Sequence, residues 1–206
     1  AYHRVMDSGW YIMGAELEAF ESEFARYCDV DYCVGVGNGL DALYLLLKAY
    51  GIGSGDEVIV PANTFVATVG AINEIGAKTV FVDCDNTFCM DVSKVEEKIS
   101  DKTKAIVPVH FSGYMTNMPQ LMKISNKYNI PVIEDACQSI LANIDNKLSG
   151  TWGITGCFSL HPLKNINVWS DGGIIITSNE KVYEKIKLLR NHGLIDRDHV
   201  EILGYN

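Results

Sequence analysis

Proline is scarce, 5 in 206 residues, and no apolar run approaches the roughly 20 residues that a membrane-spanning helix needs. That composition excludes collagen-like, low-complexity and disordered chains as well as a bilayer span. No block of Lys or Arg is present, and 17 basic residues are outnumbered by 26 acidic ones, for a formal net charge of -9. Following a phosphate backbone needs the opposite balance, so nucleic acid is not an expected partner, whereas small anions remain open. The opening residues, Ala1 to Met6, contain no apolar signal core, and nothing points to export. The chain begins without Met and stops at Gly204-Tyr205-Asn206 without a cap or closing element, so both ends read as cuts.

Six cysteines (Cys28, Cys33, Cys84, Cys89, Cys137 and Cys157) lie mostly inside apolar segments of a chain large enough to build its own core. They read as reduced, buried thiols of a cytoplasmic protein. The two C-x4-C pairs, Cys28/Cys33 and Cys84/Cys89, lack the Gly and turn residues of a zinc knuckle, so no metal is expected.

What is there is an alternation of helix and strand with little slack and no internal repeat or linker. The spacing of apolar residues predicts helices over Glu16 to Cys28, Leu40 to Tyr50, Phe65 to Ile75, Ser93 to Ile99, Met118 to Tyr128 and Glu180 to Arg190. Short apolar runs predict strands at Tyr32 to Val36, Glu57 to Val60, Lys78 to Val82, Ala105 to Val109, Pro131 to Asp135, Cys157 to Leu160 and Ile174 to Thr177. Strands without period two, separated by helices, imply an α/β fold with a mainly parallel sheet covered on both faces. In such sheets ligands sit just beyond the carboxyl ends of strands, where the next helix offers free N–H groups.

Five places meet that condition. Gly35-Val36-Gly37-Asn38-Gly39 is a glycine-rich strand-to-helix turn that reads either as an anion cradle or as a tight turn using Gly for positive φ. It is no dinucleotide fingerprint, because the third glycine would fall on Leu40, and no P-loop, because no Gly-Lys-Ser/Thr comes after it. Phe65 opens a helix after Pro61-Ala62-Asn63-Thr64, placed to stack on a flat ligand or to join the core. Glu134-Asp135 ends an apolar strand, and alternation sends one carboxylate inward and the other outward. A buried Asp135 needs a cationic or hydrogen-bonding partner, unless it merely caps the next helix. Lys164 comes after the strand Cys157 to Leu160 and precedes the tight turn Ser170-Asp171-Gly172-Gly173. A lysine held half-buried between strands can give up its proton and attack a carbonyl carbon. His110 and His192 begin loops and read as structural histidines before substrate contacts.

Taken in order, Gly9-Trp10-Tyr11-Ile12, Gly37-Asn38-Gly39-Leu40-Asp41-Ala42-Leu43, Pro61-Ala62-Asn63-Thr64-Phe65, Val107-Pro108-Val109-His110, Glu134-Asp135-Ala136, Phe158-Ser159, Lys164-Asn165, Asp171-Gly172-Gly173 and Arg190-Asn191-His192-Gly193 resemble the DegT/DnrJ/StrS family of sugar aminotransferases. These are pyridoxal-phosphate enzymes of fold-type I, and the resemblance runs over nearly the whole chain. It implies a cofactor-binding large domain over residues 1–190, with an N-terminal helical segment, and residues 191–206 as the start of a segment leading to a smaller carboxy-terminal domain that is missing here.

The resemblance also implies roles. Lys164 is the lysine that forms a Schiff base with pyridoxal phosphate, and the amides of Asn38, Gly39 and Leu40 cradle the phosphate with the Ser159 hydroxyl. Phe65 stacks on the pyridine ring, Asp135 keeps the ring nitrogen protonated, and Gln138 lies beside the ring hydroxyl. Asn206 reaches the phosphate of a neighbouring subunit, since sites of this family form at a homodimer interface. The implied reaction takes an amino group from L-glutamate, through pyridoxamine phosphate, to a keto group of a nucleotide-linked sugar; the motifs are most similar to those of enzymes acting on dTDP-linked 3-keto-6-deoxyhexoses. A dehydratase branch of the family carries His in place of the lysine, and Lys164 therefore points to amination. A fragment that only binds cofactor is the remaining reading. The run His161-Pro162-Leu163 departs from the aromatic and small residues usual before the lysine.

Overall fold

The computed structural model describes residues 1–206. Seven strands form the central layer: β1 (Tyr32–Val36), β2 (Glu57–Pro61), β3 (Lys78–Val82), β4 (Thr103–Ile106), β5 (Ile133–Asp135) and, after a small hairpin of β6 (Asn143–Ile144) and β7 (Lys147–Leu148), β8 (Thr155–Ser159) and β9 (Gly173–Thr177). Their order is β3-β2-β4 and β5-β8-β9-β1, the two groups joined by parallel bridges between Ile106 and Val132 and between Val109 and Asp135. Pro108 has no N–H to give to a ladder, which interrupts the strand predicted over Ala105 to Val109 and leaves the junction to isolated bridges. Only β9 runs against its neighbours, pairing antiparallel with both β1 and β8.

The helices are α1 (Tyr2–Ser8), α2 (Ala15–Cys28), α3 (Gly39–Ala49), α4 (Val66–Glu74), α5 (Met118–Tyr128) and α6 (Glu180–Leu189). Asn38, Asn117 and Asn179 cap α3, α5 and α6, each side chain accepting a backbone N–H of the first turn. The strands are apolar on both sides because both faces are covered. Val58, Val60, Val107, Ile133, Cys157 and Ile175 pack under α3, α4 and α6. Ile59, Ile106 and Val132 pack on Met118, Leu121 and Ile124 of α5, while Phe158, Ile174 and Ile176 pack on Phe24 and Ala25 of α2. The mainly parallel, doubly covered sheet is the expected one.

Three local expectations change. The helix predicted over Ser93 to Ile99 is two 3-10 turns, Val92–Lys94 and Glu96–Lys98. Burial of Val92 and Val95, three residues apart, suits that tighter repeat, and Asp91 draws the backbone and hydroxyl of Ser93 into a local turn. The β6–β7 hairpin and α1, which buries none of its residues, carry no periodic apolar signal. Residues beyond α6 fold back on it: the Tyr205 N–H donates to the Leu189 carbonyl (2.7 Å) and the Gly193 N–H to that of Leu188 (2.8 Å). No helix is long and apolar enough to cross a membrane.

Candidate active site

Strands β1, β2, β5 and β8 all end on one edge of the sheet, and the segments leaving them enclose a cavity of about 360 Å³. Its lining brings together Asn38, Gly39, Leu40, Phe65, Asp135, Gln138, Ser159 and Lys164, which is every expected site residue except Asn206. Because β9 is antiparallel it starts at this same edge, which brings Asp171 into the lining as well.

At the head of α3 the Asn38 side chain caps the helix, its Oδ1 accepting the Asp41 N–H and its Nδ2 donating to Asp41 Oδ2, both at 2.9 Å. The backbone amides of Gly39 and Leu40 come first in the helix, where no intrahelical carbonyl reaches them, and the dipole there favours an anion. The glycine turn serves close packing: neither Gly37 nor Gly39 has a positive φ. A Cβ on Gly39 would meet Cys137 Sγ at 2.9 Å and Ser159 Cβ at 3.0 Å, and one on Gly173 would stand 2.3 Å from the Asn38 carbonyl oxygen. Absent side chains thus let the start of α3 settle directly onto the ends of β5, β8 and β9. Ser159 Oγ accepts the His161 N–H (3.3 Å), which leaves its own O–H free to donate.

Phe65 stands at the N-cap position of α4 and is 67% exposed at the cavity mouth, so it is no core residue. One turn on, Thr68 is buried and donates its hydroxyl to Asp135 Oδ2 at 2.7 Å, with the Thr64 hydroxyl bonded behind it, also at 2.7 Å. Asp135 is 5% exposed, and its other oxygen accepts the Cys137 N–H (3.2 Å). No helix comes after it, so it caps a turn. No Lys, Arg or His comes within ion-pair reach of this carboxylate.

Glu134, predicted to face away from its neighbour, does so without reaching solvent. On the opposite face its Oε2 accepts from His110 Nε2 and the Gly150 N–H, both 2.9 Å, and its Oε1 from the Trp152 and Gly153 N–H groups, both 2.6 Å. The Thr116 N–H donates to His110 Nδ1, which makes this histidine the structural one it is read to be.

Lys164 is half-buried, its backbone held by a bond to the His161 carbonyl (2.8 Å) and by Asn167 Nδ2 (3.2 Å). Its amine meets no acceptor in the chain. Gln138 Oε1 takes the Ser112 N–H (3.0 Å), leaving its amide N–H groups free. Asn206 lies elsewhere, in a larger cavity of about 910 Å³ with Tyr205, Arg190 and His192; the two cavities meet at Asp171. Burial first, and then the Asp171 charge, hold the Asp41 carboxyl above its ordinary value. Thr64, Thr68 and Asp171 escape the sequence reading. The first two carry one signal, hydroxyls four residues apart at a helix start; Asp171 depends on the antiparallel entry of β9.

The family model for the DegT/DnrJ/EryC1/StrS aminotransferase family matches residues 1–206. A dTDP-3-amino-3,6-dideoxy-alpha-D-galactopyranose transaminase of Aneurinibacillus thermoaerophilus is 47% identical over 194 residues, 94% of this chain and 53% of that protein. The solved structure of S. venezuelae DesV in complex with a ketimine intermediate superposes with a TM-score of 0.94 at 38% identity, over 99% of this chain and 55% of that one. That of ntda from Bacillus subtilis, with bound cofactor PMP, gives 0.93 at 35% identity, over 98% and 47%. The chain therefore spans about half the length of the relatives it matches. With the whole of its sequence matched by the family model, the chain belongs to the DegT/DnrJ/EryC1/StrS aminotransferases.

Proposed function

We propose that the chain carries the cofactor site of a pyridoxal-phosphate-dependent aminotransferase that moves an amino group from L-glutamate to a keto group of a nucleotide-linked deoxysugar, dTDP-linked as in the Aneurinibacillus relative. One observation carries this reading: Asp135 is a buried carboxylate with neutral donors and no cation, in the lining of a cavity to which Lys164 also contributes. A buried charge left in that state favours a cationic hydrogen-bond donor from outside the chain, which a protonated pyridine nitrogen supplies.

The other donors fit the same molecule. Gly39 and Leu40 N–H groups and the Ser159 hydroxyl suit a phosphate, the exposed Phe65 ring a flat heterocycle, and Gln138 a ring hydroxyl. A cavity of about 360 Å³ lies within the range of small-molecule sites. When bound, pyridoxal phosphate supplies an aldehyde for amines and an electron sink for the carbanion left after a proton is removed. The chain does the rest. Asp135 holds the ring N–H, with Thr68 fixing its orientation, and Phe65 covers the ring and excludes water. The Lys164 amine takes the substrate proton and returns it.

A second copy of the chain is the proposed partner, making a homodimer. Phe65, Val66, Leu163 and Trp169 are 67%, 73%, 88% and 88% exposed, and covering such side chains with a second copy would remove their apolar area from water. Asn206 is proposed to act across that contact, on the phosphate held by the neighbouring subunit. Residues 1–190 are the proposed cofactor domain, with residues 191–206 leading on from it, and the free thiols support a cytoplasmic site of action.

Addition of pyridoxal phosphate should give a visible absorption band, and borohydride should then fix the cofactor covalently on Lys164, as read by peptide mass. L-glutamate should bleach the band. Attachment elsewhere, or a K164A variant that keeps the band, refutes the assignment.

A further inference from the structure

We infer that Asp135, Cys137 and Cys157 form a site for one thiophilic divalent cation, zinc in the first instance, in the floor of the cofactor cavity. Parallel pairing of β5 with β8 sets Asp135 opposite Cys157. The turn closed by the Cys137 N–H on Asp135 Oδ1 then brings Cys137 back over the same spot. The two sulfurs stand 4.0 Å apart. Two thiolates on a tetrahedral zinc ion, each at about 2.3 Å, stand about 3.8 Å apart, so the pair needs only a small adjustment. A carboxylate oxygen of Asp135 and both sulfurs lie within 4.8 Å of one another, and no other trio of His, Cys, Asp or Glu comes together in this way.

Charge and access agree with geometry. Two thiolates, one carboxylate and a divalent ion sum to a net charge of about -1, and one of the thiols, Cys137, lies against Gly39 at the start of α3, where the helix dipole favours negative charge. The Thr68 hydroxyl already orients the carboxylate from behind, as outer-shell partners of metal ligands do. Cys137 lines the cavity, which gives the ion a way in and leaves a fourth position for water. The thiol protons leave as the metal–sulfur bonds form, passing to buffer.

The carboxylate is shared. On the proposed function, Asp135 also holds the cofactor's ring nitrogen, so metal and cofactor should exclude each other, and this part of the inference rests on that reading.

The test titrates reduced, cofactor-free protein with cobalt(II) and cadmium(II). Expected are one equivalent bound per chain, a sulfur-to-cobalt charge-transfer band, and loss of both in C137A and in C157A but not in C84A/C89A. Cys137 is at the cavity wall, so C137A keeps the test open should C157A, in the core, fail to fold. Absence of the band, or its survival in either single variant, overturns the site. Cadmium-loaded protein should then take up no pyridoxal phosphate in dialysis. Simultaneous binding of both overturns the shared ligand. Failure of even metal-free protein to take up cofactor refutes the proposed function and leaves the metal site standing.

Discussion

Glu134 and Asp135 are adjacent in sequence, both buried, and opposite in circumstance. Below the sheet, Glu134 has each oxygen accepting two hydrogen bonds, from His110 and three loop amides, so nothing remains for a ligand to supply. Above it, Asp135 has only two neutral donors and a cavity. The same chemical group, moved by one residue, is a structural rivet on one face and a binding group on the other. The difference between the two is whether the chain satisfies the charge by itself.

The contrast is open to attack by mutation. The largest effect should come from E134A, which strands three backbone N–H groups and His110 in the interior. It should cost about 3–5 kcal/mol, or prevent folding, as read from the urea midpoint. D135N should do the reverse: stability within about 1 kcal/mol of the parent, but a glutamate-driven bleaching rate lower by about 10²–10³-fold. If D135N unfolds the protein as E134A does, the two carboxylates are alike and the contrast fails.

A finer cut is T68A, which removes the hydroxyl behind Asp135 and leaves the carboxylate. It should cost about 1 kcal/mol in cofactor affinity, roughly fivefold in the dissociation constant, while T68S restores the parent value. Smallest is D171N. Asp41 has a folded-state pKa raised by burial and by Asp171, so it lowers stability once the pH rises above the ordinary carboxylate range and not below it. The variant should therefore be slightly more stable than the parent at neutral pH and equal to it in acid, as monitored by thermal melts at both.

Much of the site is legible in the sequence because parallel strands deliver residues to one edge. Asn38, Phe65, Asp135 and Lys164 each stand at or just past the carboxyl end of an apolar run, and the cavity joins them all. Thr68 gives no such signal, since it sits inside a helix and its partner is 67 residues away. Nor can spacing reveal that Cys137 approaches Cys157, because strand pairing, not local sequence, makes them neighbours. The fold reads well where apolar runs are long. It misleads at Ser93 to Ile99, where a three-residue repeat of buried valines imitates the start of an α-helix.

The reversed strand β9 has a further effect on the lysine. The Leu160 N–H donates to the Gly172 carbonyl (2.7 Å) and the Val168 N–H to that of Leu160 (3.0 Å), so the span carrying Lys164 is pinned at both of its ends. An anchored root with an unclaimed tip lets the amine swing between tasks without disturbing the backbone. Insertions between Asn165 and Ser170 should be absorbed as slack in that span, whereas one between Ser159 and Lys164 would shift the reacting atom itself.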